Sequence, residues 1–299
     1  MSSESKAVSP TTSNLGDDVF YSRAVRSLDR SLEDEPDVMV HQQLARLRFF
    51  EDKVGTAHQR ILDFGCGSGF NCHELSNAKE VLGFDVSEAA VSLAKQSFPG
   101  CRFVVGDACS PTLSLGAWDR ILCCEVLEHV PDMPIFLDNI KRHLAPGGIA
   151  FISTPNRLIF SSGHEPSPIN REHIKELDLT EFMELLSSRF GSVEIYGQSF
   201  REPRLLAEWQ AGVSEKIKQL QAGTRWSQPT EAKLRSNPLL RAAYNVLPFQ
   251  RAWKWLRWSV IEGLQAKRLA RSRPYSFKDF EFKKDDLTEA IWFCAIVTA

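Results

Sequence analysis

The segment RILDFGCGSGF, residues 60–70, constrains the fold of this chain more than any other stretch. An apolar run ends at Phe64, and glycines follow at alternate positions, Gly65, Gly67 and Gly69. Glycine lacks a Cβ, so a chain that turns sharply here lets a ligand approach its backbone. A helix that begins at such a turn points N–H groups at that ligand. The segment therefore predicts a strand, a ligand-binding turn and a helix.

Short apolar runs alternate with helical patterns on both sides of this turn. Seven runs are predicted as strands: 60–64, 81–85, 102–106, 119–124, 149–154, 192–197 and 290–299. The first five are nearly continuous in apolar residues, which is typical of strands covered on both faces. Apolar residues at helical spacing lie between strands, as in EAAVSLAKQSF and PIFLDNIKRHL. The alternation predicts an α/β fold with a doubly wound, mostly parallel sheet.

The same patterns divide the chain into five segments. We expect a disordered polar arm at 1–18, a helical cap at 19–58, the core at 59–199, a helical insertion at 200–288 and the final strand at 289–299. The cap contains an amphipathic helix at 39–54 that should cover one face of the sheet.

Composition narrows the function classes. The formal net charge is −2, so no overall attraction to nucleic acid is expected. The seven cysteines form no C-x-x-C pair and show no zinc-site spacing, so no metal is expected and the thiols should be reduced. Neither an apolar leader nor a run of about 18 apolar residues is visible. These features indicate a cytoplasmic protein.

Acidic residues follow two successive predicted strands. Asp85 ends the second strand, where a carboxylate can accept hydrogen bonds from ribose hydroxyls, and Asp107 ends the third. An aspartate after a strand is often only a cap or turn residue, so their joint placement carries the argument. The dinucleotide fingerprint G-x-G-x-x-G requires glycine where Phe70 stands, which disfavours a nicotinamide enzyme.

Asp63 stands two residues before Gly65, and the resulting D-x-G-x-G-x-G pattern resembles motif I of class I S-adenosylmethionine-dependent methyltransferases. LEHV and PGGIAFISTPNR are similar to the ubiquinone-pathway O-methyltransferases, and residues 170–198 to methyltransferases of polysaccharide and O-antigen gene clusters. That second group often carries an asparagine-proline dipeptide before its histidine. Ser167-Pro168-Ile169-Asn170 replaces it here.

The resemblance implies a seven-stranded Rossmann-like methyltransferase sheet and S-adenosylmethionine as cofactor. It implies that the glycine turn holds the methionine end, that Asp107 receives the adenine amino group, and that Ala108 offers its backbone N–H. The full set of expected cofactor-binding residues is Asp63, Gly65, Cys66, Gly67, Gly69, Asp85, Val86, Asp107, Ala108, Cys124 and Glu125.

Methyl transfer depends mainly on proximity and orientation, and a hydroxyl acceptor gains from a base. The candidate bases are His173, which Glu172 or Glu176 could orient, and His129, which follows the fourth strand. A packing role for His129 and an exposed loop position for His173 stay open. The favoured reaction is O-methylation of a small molecule or glycan. The alternatives are N- or C-methylation of a small metabolite, or an inactive cofactor-binding partner protein.

The insertion contains a Trp-rich basic stretch at 235–273, with Trp253, Trp255 and Trp258 among arginines and lysines. It could be a lid over the acceptor pocket or core packing. It could also dock on a membrane or a lipid-linked substrate, which would make the protein peripheral to the inner membrane face. Nucleic-acid binding is disfavoured because no recognisable module is present.

Overall fold

The computed structural model describes residues 38–165, 167, 170, 172–221 and 276–299. The chain divides into two compact units, Met1–Val213 with Tyr275–Ala299, and Ser214–Pro274. Of the second unit, the structure describes only residues 214–221. The predicted arm at 1–18 and the Trp-rich stretch at 235–273 lie outside the described residues, so the expectations about them stay predictions.

The described elements alternate along the chain as the sequence predicts. The strands are β1 (Arg60–Phe64), β2 (Glu80–Asp85), β3 (Arg102–Val105), β4 (Trp118–Cys124), β5 (Leu144–Pro155), β6 (Ser192–Phe200), β7 (Phe280–Lys283) and β8 (Trp292–Thr298). The α-helices are α1 (Val38–Val54), α2 (Phe70–Glu74), α3 (Glu88–Ser97), α4 (Met133–His143), α5 (Arg157–Phe160), α6 (Leu179–Ser187) and α7 (Pro203–Gln221). Two 3₁₀ turns span Leu127–His129 and Phe277–Asp279. No described helix is both long and apolar enough to cross a membrane.

The strands form one sheet in the order β3-β2-β1-β4-β5-β8-β6-β7. Its first five strands are parallel, whereas β8 runs antiparallel to both β5 and β6. The predicted doubly wound, mostly parallel α/β sheet is therefore confirmed, but it has eight strands rather than seven. The eighth is β7, which pairs antiparallel with β6 through Gly197–Phe200 and lies in the segment predicted as a helical insertion. Helix α7 is the described part of that insertion that is helical as expected.

Helices cover both faces of the sheet. On one face, Leu47, Phe50 and Val54 of α1 pack against a cluster that includes Ile61 and Phe151, so α1 caps the sheet as the sequence predicts. On the other face, apolar side chains of α4, among them Phe136 and Ile140, pack against β1 and β4. Burying both faces explains why the parallel strands are nearly continuous in apolar residues.

Local signals set the helix boundaries. Ser87 caps α3 by accepting the Ala90 N–H, and Asp132 caps α4 by accepting the Ile135 N–H. Asp178 and Glu181 form a reciprocal capping box at α6. The seven cysteines, all among the described residues, are free thiols, as the sequence predicts.

Candidate active site

The carboxyl ends of the parallel strands define the candidate site. The strand order passes from β1 directly to β4, so the chain connections diverge on either side of this pair. In open α/β sheets the crevice at such a switch point is the ligand-binding position. The residues that follow β1, β2, β3 and β4 therefore converge on one edge.

The glycine turn after β1 is held close to its neighbours. Gly65 N and Cys66 N both donate to Phe84 O, at 2.8 and 3.0 Å. Gly65 has φ +100°, and a Cβ there would lie 2.2 Å from Val126 Cγ2. Gly69 has φ +86°, and its Cβ would meet Phe103 Cζ at 2.6 Å. Because both conformation and space exclude a side chain, the turn requires glycine at these positions.

Asp85 fixes this turn to β2. Its Oδ2 accepts the Gly67 N–H at 2.8 Å, and its Oδ1 accepts the Ser87 N–H at 2.9 Å. A carboxylate oxygen can accept more than one hydrogen bond, so these contacts are compatible with ribose hydroxyls as additional donors. The next residue, Val86, is 68% exposed, which provides an apolar surface beside the carboxylate.

Asp63 lies behind the turn and is fully buried. Burial raises the pKa of its carboxyl group to about 7, although hydrogen bonds from Asn71 and Cys72 act in the opposite direction. These two hydrogen bonds tie the Asp63 carboxyl to α2, the helix that follows the turn. Cys66 is also buried, so its contribution to a ligand would come from its backbone.

Asp107 is exposed at the end of the β3 segment. Its Oδ1 accepts the Cys109 N–H at 2.8 Å, which makes it a turn residue as well as a candidate ligand. The Ala108 carbonyl accepts from Asn139 Nδ2 at 2.7 Å, so α4 helps to hold this loop.

Cys124 is the last residue of β4, and Glu125 follows it. Burial raises the pKa of the Cys124 thiol to about 12, so it stays neutral. Glu125 has φ +55°, a left-handed conformation that costs a non-glycine residue free energy. Its Oε1 accepts from Ser153 Oγ at 2.8 Å and pairs with the buried Arg46 at 3.1 Å. These contacts hold a strained residue at the switch point.

Beyond Glu125, the structure brings together Glu128, His129 and His173, which we call the acid–histidine cluster. The two imidazole rings meet edge to face with centroids 4.8 Å apart. Glu128 Oε1 lies 3.9 Å from His129 Nε2 and 4.0 Å from His173 Nε2. The two candidate bases predicted from the sequence are therefore neighbours, and Glu128 Oε1 lies at similar distances from the Nε2 atom of each.

Each histidine also has a hydrogen-bond partner at Nδ1, and this contact orients the ring. His173 Nδ1 lies 2.6 Å from Glu176 Oε1, which makes Glu176 the orienting carboxylate that the sequence suggests. Burial alone would raise the pKa of Glu176, but hydrogen bonds from His173, Ser161 and Ser167 outweigh it and hold the pKa below its usual value. Because Glu176 is ionised, His173 Nδ1 is the donor in this pair.

His129 Nδ1 lies 3.1 Å from the Glu172 carbonyl oxygen, which can only accept. His129 Nδ1 therefore also carries a proton. Glu172 contributes through its backbone, whereas the sequence analysis considered its side chain as a partner of His173. In the neutral form of each ring, the lone pair consequently lies on Nε2.

Glu128 is the functional candidate that sequence reasoning missed. It is fully buried, and Thr154 Oγ1 donates to its Oε2 at 3.1 Å, whereas its Oε1 has no hydrogen-bond partner among the described residues. Burial, reinforced by the charge of Glu125, raises the pKa of Glu128 well above its usual value. The sequence contained one signal of its role, which is that Glu128 stands beside His129 a few residues after the end of β4.

The edge as a whole fits S-adenosylmethionine. A glycine turn, a carboxylate at Asp85, the exposed apolar side chain of Val86 and an exposed carboxylate at Asp107 follow one another along β1, β2 and β3. Such a series of groups suits an amino-acid tail, a ribose and an adenine ring. The roles of the individual residues stay predictions.

Comparisons with known proteins agree with this geometry. A family model described as a methyltransferase domain matches residues 29–221. A probable S-adenosylmethionine-dependent methyltransferase of Mycolicibacterium smegmatis is 33% identical over 139 residues, which cover 46% of this chain and 54% of that protein. A ubiquinone biosynthesis O-methyltransferase of Coxiella burnetii is 32% identical over 117 residues, 38% of this chain and 50% of that protein. This chain thus spans about half the length of the curated relatives it matches.

Among solved structures, a possible histamine N-methyltransferase from Thermotoga maritima superposes with a TM-score of 0.53. It covers 93% of this chain and 98% of its own, at 15% identity, a level of similarity that shows the fold alone. The family model, in contrast, matches well over half of this chain in sequence. The chain therefore belongs to the methyltransferase domain family, and its resemblance to the S-adenosylmethionine-dependent methyltransferases is confirmed.

Proposed function

We propose that this protein is an S-adenosylmethionine-dependent methyltransferase that methylates a hydroxyl group of a small molecule or glycan. The observation that carries the proposal is the position of the acid–histidine cluster, just beyond β4, beside a turn and two carboxylates that fit the cofactor. When bound, S-adenosylmethionine supplies a methyl group activated for transfer to a nucleophile.

The residues after β1, β2 and β3 bind and orient. Asp85 holds the Gly67 backbone and would accept from ribose hydroxyls, while the exposed side chain of Val86 would contact the adenine ring. Asp107 would receive the adenine amino group. Fixing the cofactor at three separate points limits its rotation, and orientation of this kind supplies much of the rate of a bimolecular transfer.

The residues after β4 act on the acceptor. His129 and His173 each hold a proton on Nδ1, so Nε2 is the atom that can accept the hydroxyl proton. His129 is the more accessible of the two, with a side chain 35% exposed against 5% for His173. The relative that acts in ubiquinone biosynthesis is an O-methyltransferase, which supports a hydroxyl acceptor over an amine.

Cofactor binding is tested by calorimetry with S-adenosylhomocysteine. Asp85→Asn places an amide beside two backbone N–H donors and removes the charge, so we expect it to weaken binding by about 1–3 kcal/mol. Asp52→Asn, at an exposed position on α1, is the matched control and should bind as the parent does. Tight NAD binding without any response to S-adenosylhomocysteine would refute the cofactor.

The reaction is tested with methyl-labelled S-adenosylmethionine and a panel that pairs each alcohol or phenol with its amine analogue. Transfer to the hydroxyl member of a pair supports O-methylation. Preferential transfer to amines would replace it by N-methylation. Cofactor binding without transfer to any acceptor class would favour an inactive binding partner.

A further inference from the structure

The β3–β4 loop, residues 106–117, carries the two residues expected to meet the adenine ring, Asp107 and Ala108. It contains no helix or strand of its own, so its shape depends on contacts with neighbouring elements. Its first residue is anchored to β2, because Gly106 N donates to Asp85 O at 3.0 Å. The rest of the loop lies against the last turns of α4, which therefore affect the adenine end of the candidate site.

Three side chains on one side of α4 hold this loop. Asn139, Arg142 and His143 stand at positions i, i+3 and i+4 of the helix. Asn139 and Arg142 donate to four loop carbonyls, those of Ala108 (2.7 Å), Ser110 (2.9 Å), Pro111 (3.1 Å) and Leu113 (3.2 Å). An amide does not titrate and a guanidinium stays charged, so these four hydrogen bonds do not depend on pH.

His143 contributes an acceptor instead. Its Nε2 accepts the Leu115 N–H at 2.9 Å, and its Nδ1 lies 2.6 Å from the Asn139 carbonyl oxygen. A backbone N–H can only donate and a carbonyl oxygen can only accept, so Nδ1 carries the proton and Nε2 carries the lone pair. The two contacts together require the neutral ring. The residue is only 3% exposed, which keeps solvent from replacing either partner.

Protonation would break the contact with the loop. A charged imidazole carries a proton on Nε2 as well, so Nε2 and the Leu115 N–H would both be donors facing each other. The cost of a buried charge adds to the lost hydrogen bond, and movement of Leu115 away from the ring relieves both. Two turns connect this point to the adenine end, because Leu113 N donates to Ser110 O and Ser110 N donates to Asp107 O.

The surroundings of the ring favour its neutral form near pH 7. Burial lowers the pKa of His143 below its ordinary value of 6.5, the hydrogen bond to the Asn139 carbonyl opposes this, and the charge of Arg142 lowers the pKa further. Other titratable groups on α4, the loop and β4 have partners of their own: Lys141 (the Arg189 carbonyl), Asp107 (the Cys109 N–H), Cys109 (the Asp132 carbonyl) and Asp119 (the Arg60 N–H). The ring therefore gains its proton only in acid.

We propose that His143 is a positioning residue for the cofactor: its neutral ring holds the β3–β4 loop in the shape that binds the adenine end, and protonation releases the loop. Protonation of His143 and binding of S-adenosylmethionine then oppose each other, so binding weakens as the pH falls. The role of the loop rests on the proposed function. Sequence alone does not single out His143, because Leu115 lies 28 positions away from it.

The test compares the parent with His143→Gln and His143→Leu. Glutamine offers an amide oxygen near the position of Nε2 and does not titrate, whereas leucine has no acceptor. Calorimetry gives the Kd of S-adenosylhomocysteine from about pH 7.5 to about pH 4.5, and hydrogen exchange of the cofactor-free chain follows peptides that cover residues 106–117. Towards acid, we expect the Kd of the parent to rise about 5-fold or more relative to that of His143→Gln, and its loop peptides to exchange faster than those of His143→Gln. His143→Leu should bind weakly already at neutral pH.

His58→Asn is the matched control, because it removes an exposed imidazole at φ +62°, which asparagine tolerates, and it should follow the parent. Asp63, His129 and His173 are present in every variant, so their titration cancels from the Kd ratio. Thermal melting shows whether each variant is folded, and His143→Gln keeps the test valid if His143→Leu does not fold.

A ratio of Kd values that does not change with pH, or equal loop exchange in the parent and His143→Gln at every pH, would overturn the role of His143. Either result would leave the proposed cofactor standing. Absence of S-adenosylhomocysteine binding to the parent at every pH would instead refute the proposed cofactor, and the positioning role with it.

Discussion

The two halves of the site are built in different ways. In the cofactor half, the turn after β1 and the acids after β2 and β3 lie within residues 63–108, and backbone N–H groups satisfy most of their acceptors. In the acid–histidine cluster, the residues come from the 3₁₀ turn after β4 and from a distant loop, and one buried acceptor has no hydrogen-bond partner among the residues that the structure describes. The first half is locally encoded, and backbone N–H groups hold the acids after β2 and β3, whereas the second half is assembled from residues far apart in the sequence.

We infer from this difference that the cofactor half serves ligand binding and that the acid–histidine cluster serves the reaction. A half whose groups are already satisfied can bind a ligand without rearrangement, which favours affinity. A buried acceptor without a hydrogen bond raises the free energy of the folded state. A proton or a cation that binds to this acceptor lowers that free energy. The predictions that follow test whether the two halves are in fact separable, in order of decreasing effect.

The largest effect should follow removal of His129 Nε2. In His129→Asn, the amide can still donate to the Glu172 carbonyl, so the local structure is retained while the reactive nitrogen is lost. We expect kcat to fall by about 10²–10⁴-fold with the acceptor identified by the panel. Steady-state kinetics measures this fall, and calorimetry should give an unchanged Kd for S-adenosylhomocysteine. A large change in that Kd would show that the two halves are coupled.

The second prediction concerns the buried carboxyl group of the cofactor half and its effect on the free energy of unfolding. Asp63 has a pKa of about 7 in the folded chain against an ordinary value of 3.8. Between these values the folded state holds a proton that the unfolded state has lost, so stability falls as the pH rises through this window. Relative to Asp63→Asn, the free energy of unfolding of the parent should decrease by up to about 4 kcal/mol from pH 4 to pH 7.

Urea denaturation across that pH range measures the difference, with Asp52→Asn as the control that should follow the parent. Parallel curves for the parent and Asp63→Asn would contradict the prediction. They would mean that the carboxylate is compensated in the folded state.

The comparison also explains what the sequence could predict. Asp63, Asp85 and Asp107 are recognisable because each stands at a fixed offset from an apolar run, and a turn needs only neighbouring residues. The contact of Glu176 with His173 was anticipated for the same reason, since three positions separate them. For Glu128, the sequence showed only its position beside His129 after β4, because its contacts with Thr154 and His173 form only through the fold.

Strand β7 was missed for a related reason. FEFK is only four residues long and stands before KDD, so its composition is that of an exposed connection. Its identity as a strand depends on the ladder with β6, and the register of that ladder is a property of the sheet.

The third prediction concerns the contact between the two halves. Gly65 after β1 and Val126 after β4 are packed so that a Cβ on Gly65 would overlap the valine. Gly65→Ala should destabilise the fold by about 3 kcal/mol, from the positive φ and the overlap together. Adding Val126→Ala should recover the part due to overlap, so a double-mutant cycle by chemical denaturation should give a coupling free energy of about 1 kcal/mol or more. Additive effects would mean that the two loops adjust independently.

The smallest effect should come from a purely local contact. Ser87 caps α3 by accepting the Ala90 N–H at 3.2 Å. Ser87→Ala should lower the free energy of unfolding by about 1 kcal/mol and leave the kcat unchanged. Thermal melting and kinetics check the two statements. A fall in kcat would show that even the α3 boundary affects the acid–histidine cluster.

The ion pair of Arg46 with Glu125 has a consequence for the order of folding. Arg46 lies on α1 and its guanidinium also stacks over the ring of Trp292 on β8, 5.5 Å from the centroid. The strained residue after β4 is thus secured by an element that precedes the sheet and by a strand that arrives almost at the other end of the sequence. Contacts between β1, β2 and β3 close short loops, whereas this one joins positions near the two ends of the described chain, and long loops close slowly. We therefore expect the cofactor half to fold first in the nascent chain. The acid–histidine cluster should form last, when β8 enters between β5 and β6.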